Sequence, residues 1–160
     1  MNEAGIALAG SSTYVVTWGG SAPTSPKYSS ATFGNVDQAS PIVDHSGNSD
    51  GDGSPNPMTT TVTVVASGMS LSGIMNGNTG SFTWNNSYIE GTDQSGSSCN
   101  LSVADRSEAI AGSATPSATH SSATRRAMYS AALRPAASAG ALDSINIGQI
   151  DPSLFPQICA

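Results

Sequence analysis

Charge is what this sequence has least of. Five of its 160 residues are Lys or Arg and 11 are Asp or Glu, 10% in all, where ordinary soluble domains carry about a quarter. Five cations and a formal net charge of −6 exclude a broad electrostatic grip on nucleic acid or on an anionic membrane. Cysteine is nearly absent too. Cys99 and Cys159 lack the spacing of a zinc site or a redox pair. If joined they would close a long loop worth about 4 kcal/mol of chain entropy, but the penultimate position of Cys159 favours a free thiol. No apolar run approaches the roughly 18 residues of a membrane span. The start, Met1 to Ala9, has no basic region ahead of its short apolar run, so a secretory leader is not expected.

Large aliphatic side chains are scarce as well. Leu, Ile, Val and Phe together number 26, whereas Ala alone supplies 21 residues, so any core must be thin and built partly from small groups. What fills the sequence instead is 28 Ser, 14 Thr and 10 Asn. A neutral hydroxyl and amide surface follows. Such a surface suits β-rich proteins that pack against copies of themselves, because few charges have to be desolvated when subunits meet. The length fits one domain with tails.

The strongest pattern lies between Met58 and Gly91, where apolar residues alternate with polar ones over several runs broken by turn residues. Period-two alternation is the mark of half-buried strands, and the stretch predicts a three-strand meander turning at Asn76-Gly77-Asn78. Val62 and Val64 share a face with Ala66, Met69 and Leu71 lie on the face of Met75, and Phe82, Trp84 and Tyr88 form a third set. Upstream, residues 4–18 predict an edge hairpin whose second strand places Tyr14, Val16 and Trp18 together. A short strand is expected from Tyr28 to Val36. Residues 37–57, rich in Gly, Ser, Asn, Asp and Pro, read as a long loop.

After Asn100 the pattern turns helical. Asp105-Arg106-Ser107-Glu108 has capping-box spacing and predicts a helix of about two turns ending at Gly112. Residues 112–122 form a Ser/Ala/Thr tract with a proline, which reads as a linker. Ala123 to Arg134, free of Gly and Pro and closed by Pro135, predicts the best helix. Beyond it, Ile145, Ile147, Ile150, Leu154, Phe155 and Ile158 suggest an apolar arm that buries itself against a neighbour.

Candidates for chemistry are few. Asn48, Asp50 and Asp52, followed by Gly53, match the first half of a calcium loop, with oxygen ligands at alternate positions and a glycine for the turn. Position twelve is Thr59 rather than Glu, so Asp37 or Asp44 would have to complete the site. The same residues also make ordinary turns. His45 and His120 lie in serine-rich tracts without a Gly-x-Ser-x-Gly elbow, which gives no basis for a hydrolase. Asn85-Asn86-Ser87 and Asn100-Leu101-Ser102 fit glycosylation acceptors but read as turn residues. Trp18, Phe82, Trp84 and Tyr88 could form a sugar platform; their alternation on strands argues for core. Arg125-Arg126 reads as a solvated helix face, with contact to a phosphate or a neighbouring carboxylate as the alternative.

Strands through Gly91, then an Arg-Ala-Met helix at 126–128 and an apolar tail, give an order of elements that resembles small bacteriophage shell subunits. The resemblance implies a virion structural protein of the coat or decoration type. The sequence is thus expected to be mainly β, an antiparallel sheet or sandwich with one or two short C-terminal helices and extended terminal arms. Its parts would be a β-rich domain over 1–111 containing the loop 37–57, a linker over 112–122, and a helix with an apolar arm over 123–160. The function expected is a self-assembling, non-enzymatic subunit of a virus particle, a phage coat, decoration or tail component. Its partners would be copies of itself or other particle subunits, with neither membrane nor nucleic acid, and its location a virion or extracellular assembly. The runner-up is a secreted adhesin or filament module stabilised by calcium.

Overall fold

The computed structural model describes Gly20, Lys27 and residues 29–137. The expected hairpin over 4–18 and the arm after residue 143 lie outside the described residues. Within them the fold is mainly β, and every strand pair is antiparallel. The strands are β1 (Ile42–Asp50), β2 (Met58–Thr59), β3 (Val62–Val64), β4 (Gly68–Asn76), β5 (Phe82–Trp84), β6 (Ile89–Ser95), β7 (Asn100–Glu108), β8 (Gly112–Ala114), β9 (Ser117–His120) and β10 (Arg126–Leu133).

The main sheet runs β1-β10-β4-β7-β6, and two small sheets, β2-β9-β5 and β3-β8, lie over one of its faces. That inner face presents Met128 and Ile74 to Met58, Phe82 and Ala118 of the three-stranded sheet, with Trp84 packed at the margin. Farther along, Ala132 meets Val62, Val64 and Ala114, with Val43 beside them. The core is as thin as the composition requires.

Serine takes over where aliphatic side chains run out. On the inner face of β4, Ser70 and Ser72 alternate with Ile74 and Asn76, all of them buried, while the more apolar set Leu71 and Met75 faces the other way. Thr60 and Ser130 lie 2.5 Å apart, Ser130 and Ser72 2.7 Å, and the Ser72 hydroxyl donates onward to the Tyr129 carbonyl. Nearby, Ser70 donates to Glu108 at 2.6 Å and lies 2.6 Å from the Tyr88 hydroxyl. Buried hydroxyls cost stability only when unpaired. Here Thr60, Ser70, Ser72 and Ser130 each have a partner in the opposite layer or the next strand.

The expected meander does not form. Strands between residues 58 and 91 pair with later ones: β2 and β5 with β9, β3 with β8, and β4 with both β7 and β10. Each run was a strand, but local alternation carries no information on its partner. Ala66 is exposed in the β3–β4 turn rather than sharing the valine face. Residues 29–36, expected as a strand, make only isolated bridges, at Phe33 and Val36.

Both expected helices are strands. In β7 the capping-box residues Asp105 and Glu108, three apart, fall on opposite faces, and Glu108 pairs instead with Arg106, two residues away on its own side, at 2.9 Å. In β10 the true period is two, with Arg126, Met128, Ser130 and Ala132 inward and Ala127, Tyr129 and Ala131 outward. Good helix formers yield here to pairing on both edges, against β1 and β4, a tertiary override of propensity. The 112–122 tract holds β8 and β9, with Pro116 fully buried where no donor is needed. The 37–57 loop holds the nine-residue strand β1.

Candidate functional site

The three residues read as calcium ligands do not converge. Asn48 and Asp50 sit on the inner face of β1, opposite Met128 and Arg126 of β10, whereas a calcium loop has to wrap its chain around the ion. Asn48 donates to the Thr59 carbonyl at 2.9 Å. Asp50 takes Nε and Nη2 of Arg126 on one oxygen, at 3.2 and 3.0 Å, and the Gly53 N–H on the other. Asp52, exposed, accepts the Ser54 N–H. Asp44 accepts the N–H groups of Thr63 and His45, and Asp37 those of Ala39 and Ser40; these bonds hold both carboxyls below the usual range. Among the described residues no group of three or more His, Cys, Asp or Glu side chains could hold a metal. The Arg126 guanidinium supplies the countercharge that Asp50 meets.

Arg126 is the centre of this end of the sandwich. Its side chain is fully buried against an Asp50 side chain that is 10% exposed, so the pair is desolvated and needs its remaining donors satisfied. They are: Nη1 donates to Asn56 Oδ1 at 2.9 Å and Nη2 to the Pro55 carbonyl. Asn56, between two cis prolyl bonds, also accepts the His120 N–H at 3.1 Å and donates to the His120 carbonyl at 3.0 Å. One asparagine therefore ties the loop to both β9 and β10. At Gly53, with φ of 86°, the chain passes so close to Ala123 that a side chain would overlap its backbone.

His120 lies at the same node and is 1% exposed. Its ring meets Phe82 edge-on at 4.6 Å, and Nδ1 accepts the Ser122 N–H at 3.0 Å. Nε2 is buried without a partner. Burial pushes the imidazole below the ordinary histidine range and the Arg126 charge adds to this, while the Ser122 backbone and Asp93 pull upward. For Ser122 the geometry argues the reverse: an N–H aimed at Nδ1 needs its lone pair and so favours the neutral ring.

The outer face of the main sheet is a different kind of surface. Lys27 reaches the Ser95 carbonyl, and Phe33 and Val36 cover Met69 and Leu133. Between these points Ser29 and Ala31 border an open trough floored by Leu71, Gly73, Val103, Tyr129 and Ala131. Ile42, Met75, Ile89 and Tyr129 are exposed by 47, 40, 71 and 56%, and the strand register puts all four on this face.

No family model, curated protein or solved structure matches this chain. Function has to be read from these arrangements alone. His45 is exposed and stacked on Tyr129 at 5.8 Å, and His120 is held by backbone, so neither histidine stands in a Ser-His-Asp geometry. Phe82 and Tyr88 are buried and Trp84 half-buried, its Nε1 donating to Ser102 at 2.8 Å; a sugar platform is not assembled from them. Asn86 and Ser87, both at positive φ, form the tight turn closed by Tyr88 N to Asn85 O. Reading the sequence as helix hid Arg126: neighbours on a strand point to opposite faces, so Arg125 is exposed while Arg126 is buried.

Proposed function

We propose that this chain is a self-assembling structural subunit of a virus particle, a phage coat, decoration or tail component, and not an enzyme. It joins copies of itself through the outer face of the β1-β10-β4-β7-β6 sheet. One observation carries the reading: of the five large hydrophobics exposed among the described residues, four lie on that single face and only Ile110 lies elsewhere. Exposed apolar residues scatter on monomers, whereas a contiguous patch marks an interaction surface. The second copy is the favoured occupant because only 10% of the chain is charged and it is hydroxyl-rich, so that like surfaces meet with little charge to desolvate. Its location on this reading is a virion or extracellular assembly.

Sedimentation of the full chain at micromolar concentration tests it, with Met75→Lys/Tyr129→Lys on the face and Ile110→Lys off it. The wild type and the Ile110 variant should associate, and the double variant should sediment as a folded monomer. A wild type that stays monomeric, or a double variant that associates like it, would overturn the reading. Mass spectrometry of purified particles, in which the chain should appear as a stoichiometric component, tests the virion assignment separately.

A further inference from the structure

The His120 ring, whose Nε2 has no partner, lies beside the most heavily bonded guanidinium among the described residues, and Asn56 bonds both that guanidinium and the main chain of His120. We propose that His120 is an acid-sensitive latch: taking up a proton on its ring releases the clasp that ties loop 51–57 and the 121–124 turn to strands β9 and β10.

The argument begins with the ring nitrogens. Nδ1 carries its lone pair toward the Ser122 N–H at 3.0 Å, so the neutral ring keeps its proton on Nε2, which is buried and has no acceptor. A second proton must go to Nδ1, where it would face the Ser122 hydrogen head-on. The bond that holds the 121–124 turn to the ring is then lost. There is no room for the ring to swing away, because Gly80 passes so close that a Cβ there would lie 2.6 Å from Cε1, and Phe82 closes the other side at 4.6 Å.

Charge works in the same direction. From β10 the ring faces Arg126, whose side chain is fully buried and whose one carboxylate partner, Asp50 of β1, is already taken up by it. From β6 it faces Asp93, the one carboxylate left to compensate an imidazolium. The other neighbours, Phe82 of β5 and Gly80 of the 77–81 turn, carry no charge, and neither does Met58 or Thr59 of β2. A second buried cation here would repel Arg126, whose Nη1 shares Asn56 Oδ1 with the main-chain N–H of His120, so the strain falls on the residue that holds the loop. Loop 51–57 is held by that amide, by the Pro55 carbonyl on Arg126 and by the Gly53 N–H on Asp50; the first two bonds run through the His120 main chain and Arg126, so they are the first to be freed.

The sign follows from linkage. A histidine held below its ordinary value contributes stability that is fully present above about pH 6.5 and is lost as pH falls through the folded-state value. One proton changes the folding equilibrium by up to tenfold per pH unit. Asp93 and Asp105, whose carboxyls burial pushes upward, act oppositely, so the comparison must be between variants at fixed pH.

Urea unfolding of the full chain should be measured at pH 7.5 and 5.5 for wild type, His120→Asn and His120→Gln. The wild type should lose at least threefold in its folding equilibrium constant between the two, and the variants should lose clearly less. Equal losses would overturn the latch. Where a variant fails to fold, an NMR titration of the wild type decides, with exposed His45 as the internal reference. His120 titrating below His45, with the Ser122 and Asn56 amide signals moving in step, supports the proposal. A His120 that titrates with or above His45, or amides that stay still, refutes it.

Discussion

Asp50 shows how one side chain can be read correctly as strained and wrongly as to what relieves it. Its closeness to Asp52 argued for a counter-ion; the counter-ion is Arg126, 76 residues away, which no local pattern announces. Removing one partner of a buried pair leaves the other charge uncompensated, a loss of about 3–5 kcal/mol. Asp50→Ala should therefore lower the unfolding free energy measured in urea by an amount of that order, and Asp52→Ala, at an exposed turn, by well under about 1 kcal/mol. Because the Asp50 oxygens are occupied, melting midpoints in EDTA, millimolar Ca²⁺ and millimolar Mg²⁺ should coincide. A rise specific to Ca²⁺ would restore the cation reading. Asp105 makes the opposite case. It is 6% exposed on the outer face, and burial alone pushes its carboxyl upward. A raised carboxyl contributes stability below its ordinary value and loses it as pH rises through the folded one. Asp105→Asn should thus stabilise the protein at pH 7, and the gain measured by thermal melting should vanish as pH falls toward 4.

Among the elements, β10 separates what the sequence makes legible from what it hides. Strand identity was legible wherever Val, Ile, Phe or Trp alternated with polar residues, as in β3 and β5. It was hidden in β7 and β10, because their inward positions are filled by Ser, Ala, Asn and Arg, residues that hydropathy does not count as core. One of those positions, Ser130 of β10, belongs to the buried hydroxyl chain, whose other members are Ser72 of β4 and Thr60 between β2 and β3. Ser130 stands in its middle, between Thr60 and Ser72. Ser130→Ala leaves two buried hydroxyls short of a partner and should cost about 1–3 kcal/mol. Ser130→Val, of similar bulk to a Thr, should cost more by crowding the layers. If Ser130→Ala leaves the urea midpoint unchanged, the chain is ornament, and the thin aliphatic core alone holds β10. Phe82→Ala, from the fully apolar cluster with Met58, Ile74, Ala118 and Met128, sets the scale for comparison at about 3–5 kcal/mol.

The whole molecule carries a formal charge of −6 and an apolar outer sheet face, and these two properties act on association in opposite senses. On the proposed reading, copies repel at long range through their net charge and attract at contact through Ile42, Met75, Ile89 and Tyr129. Salt screens the first over a Debye length of about 10 Å at 0.1 M and leaves the second intact, while sulfate strengthens apolar contact further. Self-association through this face should therefore grow tighter as NaCl rises from 50 to 200 mM, and tighter again when sulfate replaces chloride at equal ionic strength. A protein held to a polyanion by its cations would behave the other way, losing affinity steeply over that range as counter-ions compete. An interface built on ion pairs would weaken too. Equilibrium sedimentation across the series reads the sign directly, and Met75→Lys/Tyr129→Lys should abolish the salt response together with the association. If added salt dissociates the wild-type oligomer, the outer face is not what joins the copies, and the contact must be sought among the few charged residues instead.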